Sequence, residues 1–151
     1  MKKLLIAAAL AASAAHANAV TVRECDGTTD RVANIAEPWA QNTKQFYNNL
    51  VRVTLLDTGG EPVCCSMHLV VTFPAGGQDE PVYSECRIVS SKESSGFLSI
   101  DIQKLKAKYD PKTGLTMTFP YTTYNDSGDN HPKGMGKLRL DLKKGELTAV
   151  K

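Results

Sequence analysis

Short runs of alternating apolar and polar residues recur along most of this chain, and they constrain its fold more than any other feature. In one run, Val51, Val53 and Leu55 alternate with Arg52 and Thr54. A period of two puts successive side chains on opposite faces of a β-strand, so each run predicts a strand with a buried face. Comparable runs occupy positions 20–24, 63–73, 82–90, 98–102, 115–121 and 137–150.

Turn-forming residues separate these runs. Glycine and proline cluster at 58–62, 74–77 and 110–114, where they favour tight changes of chain direction. There is no internal repeat or low-complexity linker after position 20. The sequence therefore predicts a mainly β domain, built as an antiparallel sandwich or a partly closed barrel of about seven or eight short strands with minor helix.

Three parts of the chain depart from this simple pattern. Residues 25–49 lose the alternation and predict irregular structure, in which we expect the only tryptophan, Trp39, to fill the core. Residues 101–106 predict one or two helical turns, and a strand running to Tyr109 is the alternative. Pro120 has no amide hydrogen to donate, so we expect its strand to lie at a sheet edge or to end there.

The amino terminus has the features of a bacterial secretory signal peptide. Positive charges at Lys2 and Lys3 precede an apolar stretch at 4–15 and small residues at 17–19. We predict cleavage before Val20. The apolar stretch is shorter than the roughly 20 residues that span a bilayer, and no other segment approaches that length, so we expect no membrane span.

Cleavage would divide the chain into a signal peptide, residues 1–19, and a single β-rich domain, residues 20–151, located in the periplasm or secreted. Loss of Lys2 and Lys3 leaves 16 basic residues against 16 acidic ones in that domain. A domain with no net charge has no overall field to attract nucleic acid or an anionic membrane. We therefore expect neither as a partner.

Four cysteines follow the predicted cleavage point, in a compartment that favours disulfides: Cys25, Cys64, Cys65 and Cys86. They allow three complete pairings, and spacing alone does not choose among them.

The position of the predicted hairpin narrows the choice of disulfide partners. If residues 74–81 close a symmetric hairpin, Cys86 lies opposite about position 69. The adjacent pair Cys64 and Cys65 is then roughly 13 Å away along the strand, beyond the reach of a disulfide. We therefore predict a Cys25–Cys86 bridge. Cys64 and Cys65 would be free thiols, a bridge between adjacent residues, or an intermolecular link.

The segment from Cys64 to His68 contains soft ligands suited to copper or zinc, because thiolates, a thioether and an imidazole occur within five positions. In an extended strand, however, Cys64 and His68 lie roughly 13 Å apart, and Cys65 faces the opposite side. We therefore predict no resident metal or cofactor. A site formed by Cys64, Cys65 and His68 is kept as an alternative.

The polar loop at 125–136 contains the residue types of a hydrolase triad, Ser127, Asp129 and His131. A working triad normally takes its members from separate rigid elements, and these three crowd into one loop. The segment 125–130 is also rich in oxygen ligands, but it lacks the glycine and glutamate positions of a helix-loop-helix calcium site. A solvated surface loop is the simpler interpretation.

Phosphate-binding glycine loops, paired zinc cysteines and the nucleophile-elbow pattern are absent from the sequence. The sequence therefore favours a non-enzymatic binding or interaction protein that meets an unknown protein or envelope component. Two alternatives remain open. One is a soft-metal or thiol-redox protein that uses Cys64, Cys65 and His68. The other is an envelope hydrolase that uses the 125–136 loop.

Overall fold

The computed structural model describes residues 20–59, 64–76, 83–128 and 130–151. In these residues the chain forms ten β-strands and two short 3-10 helices. The strands build two antiparallel sheets, one of them curled into a half-barrel. The predicted mainly β, antiparallel fold class is confirmed, with more strands than the predicted seven or eight. The predicted signal peptide lies outside the described residues and stays a prediction.

The first sheet contains the first five strands in the spatial order β1-β5-β4-β3-β2, and each neighbouring pair is antiparallel. β4 is therefore central, as its long apolar run indicates. The strands are β1 (Thr21–Glu24), β2 (Thr43–Phe46), β3 (Val51–Asp57), β4 (Met67–Ala75) and β5 (Tyr83–Ser90).

The second sheet has the order β10-β9-β8-β6, and β7 also pairs with β8. The predicted carboxy-terminal hairpin is present as the β9–β10 pair. The strands are β6 (Ser99–Ile100), β7 (Lys106–Asp110), β8 (Gly114–Thr122), β9 (Lys133–Asp141) and β10 (Glu146–Ala149). The 3-10 helices are Val32–Asn34 and Ile102–Lys104.

The inward faces of the two sheets form one core. Alternate residues of β3 and β4, with Val89 of β5, pack with alternate residues of β8 and β9, which is the arrangement that the period of two predicts. Full burial of one such aliphatic or aromatic side chain contributes about 1.5–3 kcal/mol. The largest fully buried side chains of this core are Phe73, Phe97, Phe119, Leu69, Met117, Leu138 and Leu140.

Two glycines of β9 make room for aromatic rings of β8. Gly136 pairs with Phe119 across the sheet, and Gly134 pairs with Tyr121. A Cβ atom at either glycine would overlap the ring of its partner. The rings therefore lie directly over the β9 backbone and fill space that a side chain would occupy.

The β4–β5 hairpin differs in register from the symmetric arrangement assumed from the sequence. Cys86 lies opposite Thr72 rather than position 69, because the strands stay paired as far as Ala75 and Tyr83. The observed register places Cys86 further from Cys64 and Cys65 along the strand than the predicted one did. This strengthens the reason for excluding them as its disulfide partners.

The irregular region 25–49 contains two features that the sequence analysis missed. β2 forms within its polar tract, where Thr43 and Phe46 pair with Thr54 and Val51 of β3. Trp39 is 51% exposed, so its predicted place in the core is wrong. Backbone hydrogen bonds to β3 hold the middle of the segment at this edge of the first sheet.

Pro120 lies in β8, within the second sheet, and not at a sheet edge. β7 pairs with β8 as far as Thr118, and β6 resumes the pairing at Tyr121. Pro120 lies at the break between these two partners, where its missing amide hydrogen interrupts no ladder. The 3-10 helix Ile102–Lys104 fills the same break, so the predicted helical turn is present and a strand follows it.

Candidate functional site

A cleft with a volume of about 700 Å³ opens where three separate segments of the chain meet. One segment precedes β4, one follows β5 and one follows β8. The cleft brings together two regions that the sequence analysis singled out independently, the adjacent cysteines and the start of the polar loop. Its lining residues are Cys64, Cys65, Ser91, Lys92, Ser95, Thr123, Tyr124 and Asp126.

Cys64 and Cys65 form a disulfide between adjacent residues, which is one of the three states left open by the sequence. Both residues are half-buried at the wall of the cleft. Cys65 has a φ of 75°, a left-handed conformation that is uncommon for a residue with a side chain. The chain therefore makes a constrained turn at this point and presents the two sulfur atoms within a small closed ring.

Gly96 fixes the neighbouring loop against this turn. Its amide donates a 2.8 Å hydrogen bond to the carbonyl of Cys65, and Phe97 and Met67 then exchange backbone hydrogen bonds of 2.7 and 3.2 Å. A Cβ atom at position 96 would lie 2.5 Å from the Met67 carbonyl oxygen and 2.8 Å from Nε2 of His68. Only glycine allows this close approach, which sets the spacing between two walls of the cleft.

His68 lies on the outer face of β4 and is buried, with 6% of its surface exposed. Its Nδ1 atom is 2.8 Å from the hydroxyl of Ser90, which is completely buried. Burial lowers the pKa of His68, and the positive charge of Arg23 lowers it further, against the opposing effect of Asp26 and Asp57. The imidazole is therefore held in its neutral form.

The Ser90–His68 pair has the contact of a nucleophile with its base, and sequence reasoning missed it because 22 positions separate the two residues. A nucleophile must reach the substrate, and Ser90 exposes none of its surface. The pair is therefore structural, and the hydrogen bond satisfies two polar groups beneath the outer surface of the sheet.

The structure does not assemble Cys64, Cys65 and His68 as a set of metal ligands. Both sulfur atoms are joined to each other, and the imidazole faces Ser90. Within the described ranges, one group of three possible ligands lies close together, Cys25, Asp30 and Cys86. Its two sulfur atoms form the predicted Cys25–Cys86 disulfide, which removes the thiolates that a soft metal requires.

A second, smaller cavity of about 410 Å³ lies beside His68 and contains Arg23. The guanidinium of Arg23 donates to the carboxylate of Asp26 and, over 3.0 Å, to the hydroxyl of Thr29. Burial of Asp26 opposes its ionisation, but hydrogen bonds from Arg23 and from the Thr28 and Thr29 amides outweigh it and hold the pKa of Asp26 well below its usual range. Arg23 is paired with Asp26, and the lining also contains Arg31 and Glu93, so the charges around the cavity balance and give no strong preference for an anion.

The predicted 125–136 loop is shorter in the structure, because residues 133–136 belong to β9, and its contacts differ from those of a triad. The amide of Asn125 donates a 3.2 Å hydrogen bond to Nδ1 of His131, and the imidazole stacks on Tyr124 at 5.3 Å. No hydrogen bond joins Ser127 to His131 in the part of the chain that the structure describes, and Asp129 lies outside that part. His131 therefore supports the Tyr124 ring at the mouth of the cleft.

Comparison of the chain with protein-family models, curated proteins and solved structures gave no match. Across the described ranges, no helix is long and apolar enough to cross a membrane.

Proposed function

We propose that this protein is a non-enzymatic binding domain of the cell envelope, either periplasmic or secreted, and that it receives its ligand in the cleft beside Cys64 and Cys65. The observation that carries the proposal is the convergence of three chain segments on one concave site. Ligand sites are typically preformed concavities that combine apolar surfaces with a few polar groups. The cleft has this composition, with a disulfide and an aromatic ring beside hydroxyl and charged groups.

The chemistry of the lining favours binding over catalysis. The hydroxyls of Ser91 and Ser95 are nucleophiles only when a base is within hydrogen-bond reach. Among the described residues, neither serine side chain makes a hydrogen bond, and the cleft lining contains no histidine. These groups are suited to hydrogen bonding with a bound molecule.

Two disulfides support a location outside the cytoplasm. Cys25–Cys86 and Cys64–Cys65 account for every cysteine of the sequence. Disulfides persist in oxidising compartments and are rare in the cytosol. Together with the predicted signal peptide, they support export to the periplasm or beyond it.

A binding screen with a blocked variant tests the proposed function. Nuclear magnetic resonance spectra of the ¹⁵N-labelled protein, expressed with export to an oxidising compartment, would be recorded with saccharides, amino acids, short peptides and fatty acids. We expect at least one class to shift the amide signals of 91–95 and 123–126 saturably. Ser95→Trp should fill the cleft and abolish the shifts, whereas Ser84→Trp, on the exposed part of β5, should retain them.

Two results would contradict the proposal. One is the absence of a response in the cleft to every class. The other is turnover of any member of an ester, peptide and glycan substrate panel, because it would establish an enzyme.

Thiol-disulfide exchange is a second candidate function, favoured by the position of Cys64–Cys65 on the wall of an open cleft. A dithiol partner would attack one sulfur, pass through a mixed disulfide and close its own disulfide, giving two electrons and two protons to Cys64 and Cys65. Lys92 lines the same cleft, and a nearby cation stabilises a thiolate.

Selective reduction tests this second candidate. Native protein would be treated with limiting dithiothreitol, alkylated and mapped by mass spectrometry. Opening of Cys64–Cys65 while Cys25–Cys86 stays closed would support exchange chemistry. If both bridges resist reduction until the protein unfolds, this candidate is rejected.

A further inference from the structure

We infer that the ligand of this cleft is a saccharide, a short chain of polyhydroxylated rings. The inference rests on the proposed binding function and assigns a chemical class to its ligand. A sugar ring combines a flat apolar face of C–H groups with a rim of hydroxyl groups. The cleft offers the complement of both features.

The apolar part of the cleft consists of Tyr124 and the Cys64–Cys65 disulfide. Tyr124 is 47% exposed and lines the cleft, so part of its surface is available to a ligand. The disulfide adds sulfur atoms that cannot donate hydrogen bonds and that are highly polarisable. Aromatic and sulfur surfaces of this kind make favourable dispersion contacts with C–H groups.

The Tyr124 ring is held in position before any ligand binds. Its stacking partner His131 lies at 5.3 Å with 29° between the ring planes, and the Asn125 amide anchors that imidazole through Nδ1. A ring that is already oriented loses little rotamer freedom on binding. This support gives His131 a positioning role, distinct from the catalytic role considered from the sequence.

The polar part of the cleft has hydrogen-bonding groups without protein partners. Among the described residues, the side chains of Ser91, Lys92, Ser95 and Asp126 make no hydrogen bond or ion pair with one another or with other groups. Serine hydroxyls both donate and accept, the carboxylate accepts, and the ammonium donates. A set with this mixture matches neighbouring sugar hydroxyls, each of which also donates and accepts.

The charge and the volume of the cleft narrow the class of its ligand further. One lysine and one aspartate line the cleft, so their charges balance and provide no preference for a polyanion such as a nucleotide. The hydroxyl groups would be left unpaired by a purely apolar ligand such as a fatty acid. A volume of about 700 Å³ lies within the range of small-ligand sites, and it suits a short oligosaccharide.

In the decisive experiment, the oxidised, ¹⁵N-labelled protein recovered after export is titrated with maltotriose, cellotriose and chitotriose, and in parallel with trialanine and decanoate. We expect at least one trisaccharide to shift the amide signals of Tyr124, Ser91 and Ser95 saturably. Tyr124→Ala should weaken that binding by about tenfold or more, because it removes the stacking surface. Asp126→Asn should weaken it as well. The matched control Tyr83→Ala replaces another half-exposed tyrosine, 51% exposed and outside the cleft lining, and should leave the affinity unchanged.

The outcomes separate this inference from the proposal on which it rests. Binding of trialanine or decanoate in the cleft, with no trisaccharide bound, would overturn the saccharide assignment and leave the binding function standing. Saccharide binding that survives Tyr124→Ala would place the sugar elsewhere and also overturn the assignment. If no saccharide, peptide or fatty-acid probe shifts the signals of the cleft, both the saccharide assignment and the proposed binding function are overturned.

Discussion

At the scale of single residues, buried polar groups set the properties of the outer face of the first sheet. His68 has its Nδ1 atom at 2.8 Å from the Ser90 hydroxyl, and both residues are buried. A buried polar pair is stable when its hydrogen bond is made and costly when one partner becomes charged.

His68 should make the stability of the protein depend on pH. Its pKa in the folded state lies below the usual value of 6.5, so the unfolded chain binds a proton at a higher pH than the folded one. The stabilising contribution is therefore fully present above about pH 6.5 and is lost as the pH falls toward the folded pKa. Urea unfolding between about pH 7 and pH 5 should show falling stability.

The variant His68→Asn should remove this part of the pH dependence, since it has no group that titrates in the range. His131→Gln, which leaves the buried imidazole in place, should retain it. Identical pH profiles for the wild-type protein and His68→Asn would contradict the assignment.

Gly96 should be essential to the geometry of the cleft. A methyl group there would overlap the backbone carbonyls of Cys65 and Met67, which cannot rotate away as a flexible side chain could. We expect Gly96→Ala to lower the free energy of unfolding by about 1–3 kcal/mol, a typical cost of overpacking. Chemical denaturation measures this, and Ser94→Ala in the exposed part of the same loop is the control. A variant as stable as the wild type would show that the loop is not held in this way.

At the scale of elements, the second sheet depends on complementary residue sizes across β8 and β9. Phe119 and Tyr121 cover Gly136 and Gly134, so the two strands form one interlocked surface. Glycine weakens an isolated strand, and an aromatic ring over it restores the lost packing. The pairing explains why β9 tolerates two glycines beside the polar loop.

Gly136→Ala should therefore destabilise the protein, although alanine normally favours a strand more than glycine does. The new methyl group would overlap the buried Phe119 ring, and we expect a loss of about 1–3 kcal/mol in urea unfolding. The double variant Gly136→Ala/Phe119→Leu should lose less than the sum of its two single changes. Met135→Ala, at a side chain that is 63% exposed, should change stability by no more than about 0.5 kcal/mol. Strict additivity of the two core changes would contradict this interlocking.

At the scale of the whole molecule, the two disulfides have different consequences. Cys25–Cys86 joins residues 61 positions apart and links the segment after β1 to β5. Cys64–Cys65 joins neighbours and closes almost no loop. In the chain-entropy account, a bridge stabilises a protein by restricting the unfolded chain, and the effect grows with the length of the closed loop.

Removing each bridge in turn tests this difference. Cys25→Ser/Cys86→Ser should lower the free energy of unfolding by about 4 kcal/mol, given the length of the loop that the bridge closes. Cys64→Ser/Cys65→Ser should change it by less than about 1 kcal/mol, and its effect should appear in ligand binding. Denaturant unfolding of both variants provides the comparison. A larger loss for the adjacent pair would show that the turn at Cys65 supports the whole fold.

Processing of the exported chain is a further property of the whole molecule. We expect cleavage between Ala19 and Val20 because small residues at 17–19 fit the peptidase. Intact-mass spectrometry of the protein recovered from its native cell fraction measures the new terminus. Recovery from the cytosol with Met1 still attached would contradict the prediction and remove the support for an oxidising compartment.

Much of the architecture was accessible from sequence. Alternation located most strands, and the turn residues at 110–114 and in the carboxy-terminal hairpin marked their ends correctly. The predictions were wrong where the local residue pattern does not reflect how the segment packs. β2 has too little alternation to be recognised, and Pro120 is tolerated inside a sheet because its neighbouring strand is interrupted.

The sequence by itself determined the β class, because burial of one strand face is encoded by residues two positions apart. It also determined the Cys25–Cys86 pairing. The predicted hairpin separates Cys86 from Cys64 and Cys65, and this holds in the observed register as well as in the predicted one. Only the tertiary structure decided that Cys64–Cys65, the loop after β5 and Tyr124 would meet in one cleft. Such a meeting depends on sheet order and strand register, which result from the sum of many nonlocal contacts and have no local signal in the chain.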